Sequence, residues 1–60
     1  MYYIMLVETD LGLTAVSYHD DLDEAVEAGH KYVLANNFTE FYIYTGDNTV
    51  VDVFPDVVNL

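Results

Sequence analysis

Eleven acidic side chains against one basic one, Lys31, give this 60-residue chain a formal charge of −10. A field of that sign and size repels nucleic acid and anionic membrane, and attracts basic protein surfaces. A composition 53% hydrophobic and 15% aromatic excludes the disordered class that strong acidity often marks.

The remaining counts bound the architecture. Sixty residues make a single domain, 1–60, of marginal stability, because so short a chain buries only about 60% of its unfolded surface. No cysteine is present, so disulfides and thiolate zinc sites are excluded as staples, leaving oligomerisation as the usual remedy. The charge exceeds the magnitude of about 2–8 that solubility asks of a small domain. That excess points to a functional role for the acidity.

The apolar run Met1–Val7 is too short to span a bilayer and lacks a basic leader region. It reads as the start of a strand, and the chain as a complete small open reading frame acting in the cytoplasm. Residues Tyr2 to Glu8 are β-branched, aromatic or long and apolar, which predicts the first strand. Asp10-Leu11-Gly12 is a turn in which Gly12 supplies a positive φ. Leu13 to Tyr18 returns as the second strand. Simple alternation puts Thr14, Val16 and Tyr18 on one face, and Leu13, Ala15 and Ser17 on the other.

The helix signal is the strongest in the chain. Asp20 or Asp21 serves as N-cap, and Asp21 with Glu24 has the spacing of a capping box. Leu22, Ala25, Val26, Gly29, Tyr32 and Val33 form one apolar stripe, while Asp23, Glu24, Glu27, His30 and Lys31 face away. Glu27 and Lys31 have the favourable i, i+4 order. Gly29 in mid-helix costs about 1 kcal/mol relative to Ala, which implies close approach to a sheet. Asn36-Asn37 suits a left-handed C-cap.

Phe38 to Tyr44 alternates, with Phe41 and Ile43 opposed to Glu40, Tyr42 and Tyr44, and predicts the third strand. Thr45-Gly46-Asp47-Asn48 turns the chain, and Thr49 to Phe54 returns as the fourth strand, ended by Pro55. Alternation assigns Val51 and Val53 to one face, and Val50, Asp52 and Phe54 to the other. The sum is an α+β fold of order ββαββ, a four-stranded antiparallel sheet with one helix packed on one face.

One helix covers one face of such a sheet. The expected covered face holds Phe41, Ile43, Val51 and Val53. The expected open face holds Tyr42, Tyr44, Val50, Asp52 and Phe54, together with Tyr2 or Tyr3. Tyrosine supplies large contact area at low entropic cost and is enriched at binding hot spots, so this face reads as an interface, for a second copy first of all. A short apolar tail, Asp56 to Leu60, could pack its Val57, Val58 and Leu60 on a neighbour.

Catalytic and metal chemistry find little support. His19-Asp20-Asp21-Leu22-Asp23-Glu24 is rich in ligand-type residues, but the calcium-loop spacing is absent and carboxylates suit a helix start without a metal. Ser17, the sole serine, has no elbow motif, and Gly12, Gly29 and Gly46 are isolated. The expectation is a protein without enzymatic activity, metal or cofactor, and with no direct contact to nucleic acid or membrane.

The acids remain. Asp20, Asp23 or Glu24, and Glu27 recur along one side of the helix at about 4.5–6 Å. Duplex phosphates present one charge per roughly 1.7 Å of axis, so a carboxylate column can imitate part of that field. In kind, the chain resembles the virus-encoded DNA-mimic and anti-defence proteins, which are short, acidic and often dimeric. The likeness is one of class. It implies a phage- or virus-type inhibitor in the host cytoplasm, occluding a basic nucleic-acid-binding protein. Asp20, Asp21, Asp23, Glu24 and Glu27 would supply charge; Tyr42, Tyr44, Asp52 and Phe54 would supply partner or dimer contact. The alternative is an interaction or assembly module that binds through the tyrosine face, with acidity serving solubility.

Overall fold

A computed structural model describes residues 1–55 of the chain, so the Asp56–Leu60 tail and its expected contact lie outside the described residues. Strands β1 (Tyr3–Thr9) and β2 (Gly12–His19) form a hairpin, α1 (Leu22–Asn36) follows, and β3 (Phe41–Thr45) and β4 (Val50–Phe54) form a second hairpin. All pairings are antiparallel and the sheet order is β2-β1-β3-β4. The helix thus carries the chain from the β2 edge across β1 to the far side, and leaves β1 and β3 as the central pair. This is the expected ββαββ architecture.

The core follows from two periodicities meeting. Ala25, Gly29 and Val33, one helical turn apart, are fully buried on α1. They lie over Met5 and Val7 of β1, and Phe41 and Ile43 of β3. Gly29 is the point of closest approach, because a β-carbon there would overlap the Phe41 ring. Gly12 takes φ +101° at the first hairpin, as its position requires. Asn37, at φ 61°, ends the helix in the left-handed conformation, with its N–H returned to Val33 O.

Asp21 is the N-cap, and its Oδ1 accepts from the Asp23 N–H at 2.9 Å. The expected reciprocal bond from the Glu24 side chain is not among the hydrogen bonds of the described residues. One carboxylate caps the helix alone.

Two β-bulges change the expected faces. In β2, Met5 pairs with Ser17 and Leu6 with Ala15, so Val16 is an extra residue. Beyond it the alternation inverts. Tyr18 shares the open face with Ala15 and Leu13 rather than with Thr14 and Val16, and Val16 packs on the core. In β4, Ile43 pairs with Asp52 and Tyr44 with Val50, so Val51 is the extra residue. Phe54 pairs with Phe41, and Val53 with Tyr42. Phe54 and Asp52 therefore belong to the helix side and Val53 to the open side, the reverse of the expectation. A one-residue change of register carries every side chain to the other face, and burial of a phenylalanine outweighs that of a valine. The Phe54 ring stacks on Phe41 at 4.6 Å and 8°.

His30 also departs from its expected outward direction. Although exposed on the helix, its ring meets Phe41 edge-on at 5.1 Å and Phe54 at 5.9 Å. It closes the end of the aromatic stack that holds β4.

Candidate protein-binding surfaces

Two surfaces of different chemistry lie on opposite sides of the sheet. On the helix side, the segment Asp20–Glu27 exposes Asp20, Asp21, Asp23, Glu24 and Glu27. The helical rise places the last three within about one and a half turns. Asp23 and Glu24 occupy the first turn, where the helix dipole favours negative charge and allows carboxylates to crowd. Lys31 Nζ lies 3.1 Å from Glu27 Oε1, both well exposed, and this is the only ion pair among the described residues. Such a pair contributes little to stability, but it partly neutralises the C-terminal end of the ridge. The uncompensated charge is therefore concentrated at Asp20, Asp21, Asp23 and Glu24. Asp21 is also occupied as the cap.

The opposite side is the open face of the sheet. Its central positions are Ile4 and Leu6 on β1, paired with Tyr44 and Tyr42 on β3. Val53 and Val50 extend it over β4, and Tyr18, Ala15 and Leu13 extend it over β2. Tyr2 joins at one end, its ring 6.0 Å from that of Tyr18. Tyr42 and Tyr44 are placed as expected. Asp52 and Phe54 are not on this face, and the register brings Tyr18 and Val53 to it instead. The bulge at Val16 was the signal needed to find Tyr18, and no residue type in β2 announces it.

Carboxylates touch the open face only at its margin. Tyr42 Oη donates to Glu40 Oε2 at 3.2 Å. Partial desolvation, then this bond and the charges of Glu40 and Glu8, raise the Tyr42 hydroxyl above its ordinary value. At the β3–β4 turn, Asp47 Oδ1 accepts from the Thr45 hydroxyl and from the Thr49 N–H, the latter at 3.2 Å. These bonds, Thr45 first, hold its carboxyl below the usual value. This carboxylate serves the turn.

One pair that sequence reasoning passed over is Ser17 Oγ and His19 Nε2, 2.7 Å apart on the helix side of β2. A nucleophile–base pair works when a third group orients the base. Among the described residues, the His19 ring hydrogen-bonds to Ser17 alone. No group of three or more His, Asp or Glu able to hold a metal occurs among the described residues. Nor is any described helix long and apolar enough to cross a membrane.

Comparison with protein families, with curated proteins and with solved structures finds no match to this chain.

Proposed function

We propose that this protein is a non-enzymatic acidic inhibitor that docks the Asp20–Glu27 ridge on the basic, nucleic-acid-binding surface of a target protein. The observation that carries the reading is the ridge itself: five exposed carboxylates in eight residues, with a single cation at its far end. Carboxylates at helical spacing meet lysines and arginines that otherwise hold phosphates, and the target's nucleic acid is displaced by competition. The chain's small size and charge of −10 suit the phage- or virus-type inhibitors that disarm a host from within its cytoplasm. Steering by that charge makes association fast and sensitive to salt.

The test is capture of targets from bacterial lysate on the immobilised protein, followed by elution with salt and, separately, with duplex DNA. A nucleic-acid-binding protein released by both, and bound weakly by the Asp23→Asn/Glu24→Gln/Glu27→Gln variant, supports the reading. Equal affinity of wild type and variant for the captured target overturns it.

A second reading has its own support. The central outward positions of the sheet, Ile4, Leu6, Tyr42 and Tyr44, carry no charge in a chain that is 20% charged. An interaction module binding a partner there, with acidity serving solubility, predicts capture that resists salt.

A further inference from the structure

An antiparallel sheet with one solvated face ordinarily alternates apolar inward and polar outward. Here the central strands do not. Ile4 and Leu6 of β1 lie beside Tyr44 and Tyr42 of β3 on the uncovered face. The flanking strands continue the pattern, with Val53 at 40% and Tyr18 at 63% exposure. Exposed apolar patches of this continuity mark interaction sites.

We propose that this face is a two-fold interface with a second copy of the chain. Three observations select that occupant. First, the molecule is a slab of 32 × 25 × 15 Å, and its broad side is of the order of the ~800 Å² per partner that a standard interface buries.

Second, the centre of this face carries no charge, which lets a like-charged partner approach it. Two chains of charge −10 repel, but the acidic ridge lies on the far side of each sheet. Sheets stacked about 10 Å apart would carry their helices outward, separated by several times the ~8 Å Debye length at physiological salt. A basic partner, by contrast, would meet carboxylates only at one end, at Glu8 and Glu40, and gains nothing from the uncharged centre of the face. Third, the core is thin: Met5, Val7, Ala25, Val33, Phe41 and Ile43 are the only fully buried apolar side chains among the described residues. Chains this small commonly complete their burial by oligomerising.

In the dimer, Tyr42 and Tyr44 of each copy pack against Ile4 and Leu6 of the other or against their own counterparts. An isologous contact uses the same patch twice. Glu8 and Glu40 fall at the rim, where water reaches them, as polar groups do in interfaces generally. Both acidic ridges point away from the interface, one on each side. The proposal stands independently of the inhibitor reading, because it uses other residues and responds to salt with the opposite sign.

Sedimentation equilibrium of the full chain over a micromolar to millimolar series tests it. The expected result is a monomer–dimer equilibrium that tightens as salt screens the repulsion between copies. Tyr44→Glu places a charge at the centre of the face and should weaken dimerisation by about 30-fold or more, the scale of a hot-spot loss. Its fold is checked by circular dichroism. Isotope-filtered NOE spectra of mixed labelled and unlabelled wild type keep the proposal falsifiable if that variant does not fold. Contacts between copies are expected among Ile4, Leu6, Tyr42 and Tyr44. A monomer at every concentration, a folded Tyr44→Glu that dimerises normally, or contacts confined to the β4 edge or to α1 overturns the proposal.

Discussion

The β-carbon that Gly29 lacks would overlap the Cδ2–Cε2 edge of the Phe41 ring. Helix and sheet approach closely here because one residue has no side chain and the other fills the space. Gly29→Ala should therefore destabilise the protein, although alanine is the better helix former by about 1 kcal/mol. Overpacking a filled core costs about 1–3 kcal/mol and exceeds that gain. Urea denaturation should show a lower midpoint with an unchanged slope. The Gly29→Ala/Phe41→Leu double variant should lose less than the sum of its parts, because leucine leaves room for the added methyl. A stabilised Gly29→Ala would disprove the close contact.

Phe54 anchors β4. The helix packs its backbone on β1, β2 and β3 and reaches β4 through the His30 ring, so the last strand depends on its ladder with β3 and on the stack of Phe54 with Phe41 and His30. Phe54→Ala should cost up to about 3 kcal/mol, since the ring is only part-buried. Hydrogen exchange should accelerate in β4 well before β1, as a local opening rather than a global one. Uniform acceleration across the sheet would show that β4 belongs to the main cooperative unit.

These two contacts mark what could be read from the sequence and what could not. The element order, the αL residue at Asn37, the stripe through Gly29 and the Glu27–Lys31 pair follow from spacing, because helical periodicity is a local property. The two bulges do not. Each inserts one residue against a partner strand distant in the chain, and the pairing that accommodates Val16 or Val51 is set by which side chains reach the core. So alternation places Tyr42 and Tyr44 on the open face, where they lie, and places Asp52 and Phe54 there too, whereas the bulge carries both to the helix side. The acidic ridge was legible in full. Its charges are exposed, and exposure of carboxylates needs no tertiary information.

Tyr42 should titrate late. Partial desolvation disfavours its phenolate first, and its hydroxyl also donates to Glu40 and lies near Glu8, whose carboxylates oppose the same charge. In an alkaline spectrophotometric titration, Tyr42→Phe should remove a component with its midpoint above the ordinary 10.0. The sign for stability follows. The folded state holds this proton more tightly, so the contribution is complete below pH 10.0 and is lost as pH rises through the folded value. Glu40→Gln should move the midpoint back toward the ordinary value. If the late component survived Tyr42→Phe, it would belong to another tyrosine.

Asp47 should titrate early, for the opposite reason. Its carboxylate accepts from Thr45 and Thr49 and is held below its ordinary 3.8. Its contribution to stability is present above pH 3.8 and is lost as pH falls through the folded value. Carbonyl chemical shifts followed through an acid titration should place its midpoint below 3.8 in wild type and closer to it in Thr45→Ala. An identical midpoint in the two proteins would remove Thr45 as the cause.

Salt should separate folding from binding. Ten acidic side chains against Lys31 among the described residues repel within a slab only 15 Å thick, so screening should raise the melting temperature of the wild type. Neutralising the ridge has competing effects. Asp23 and Glu24 gain from the helix dipole, each by about 0.3–1 kcal/mol, and their removal forfeits that while relieving repulsion. Glu27→Gln loses only an exposed ion pair, worth about 0.3–0.5 kcal/mol. The triple variant should therefore melt within a few degrees of wild type at physiological salt, and its melting temperature should rise less as salt is added. A target affinity that collapses in so well-folded a variant would then report the ridge and not the fold. Melting that fell steeply at all salt concentrations would instead make those carboxylates structural, and the acidity would have to be explained by the capping of one short helix.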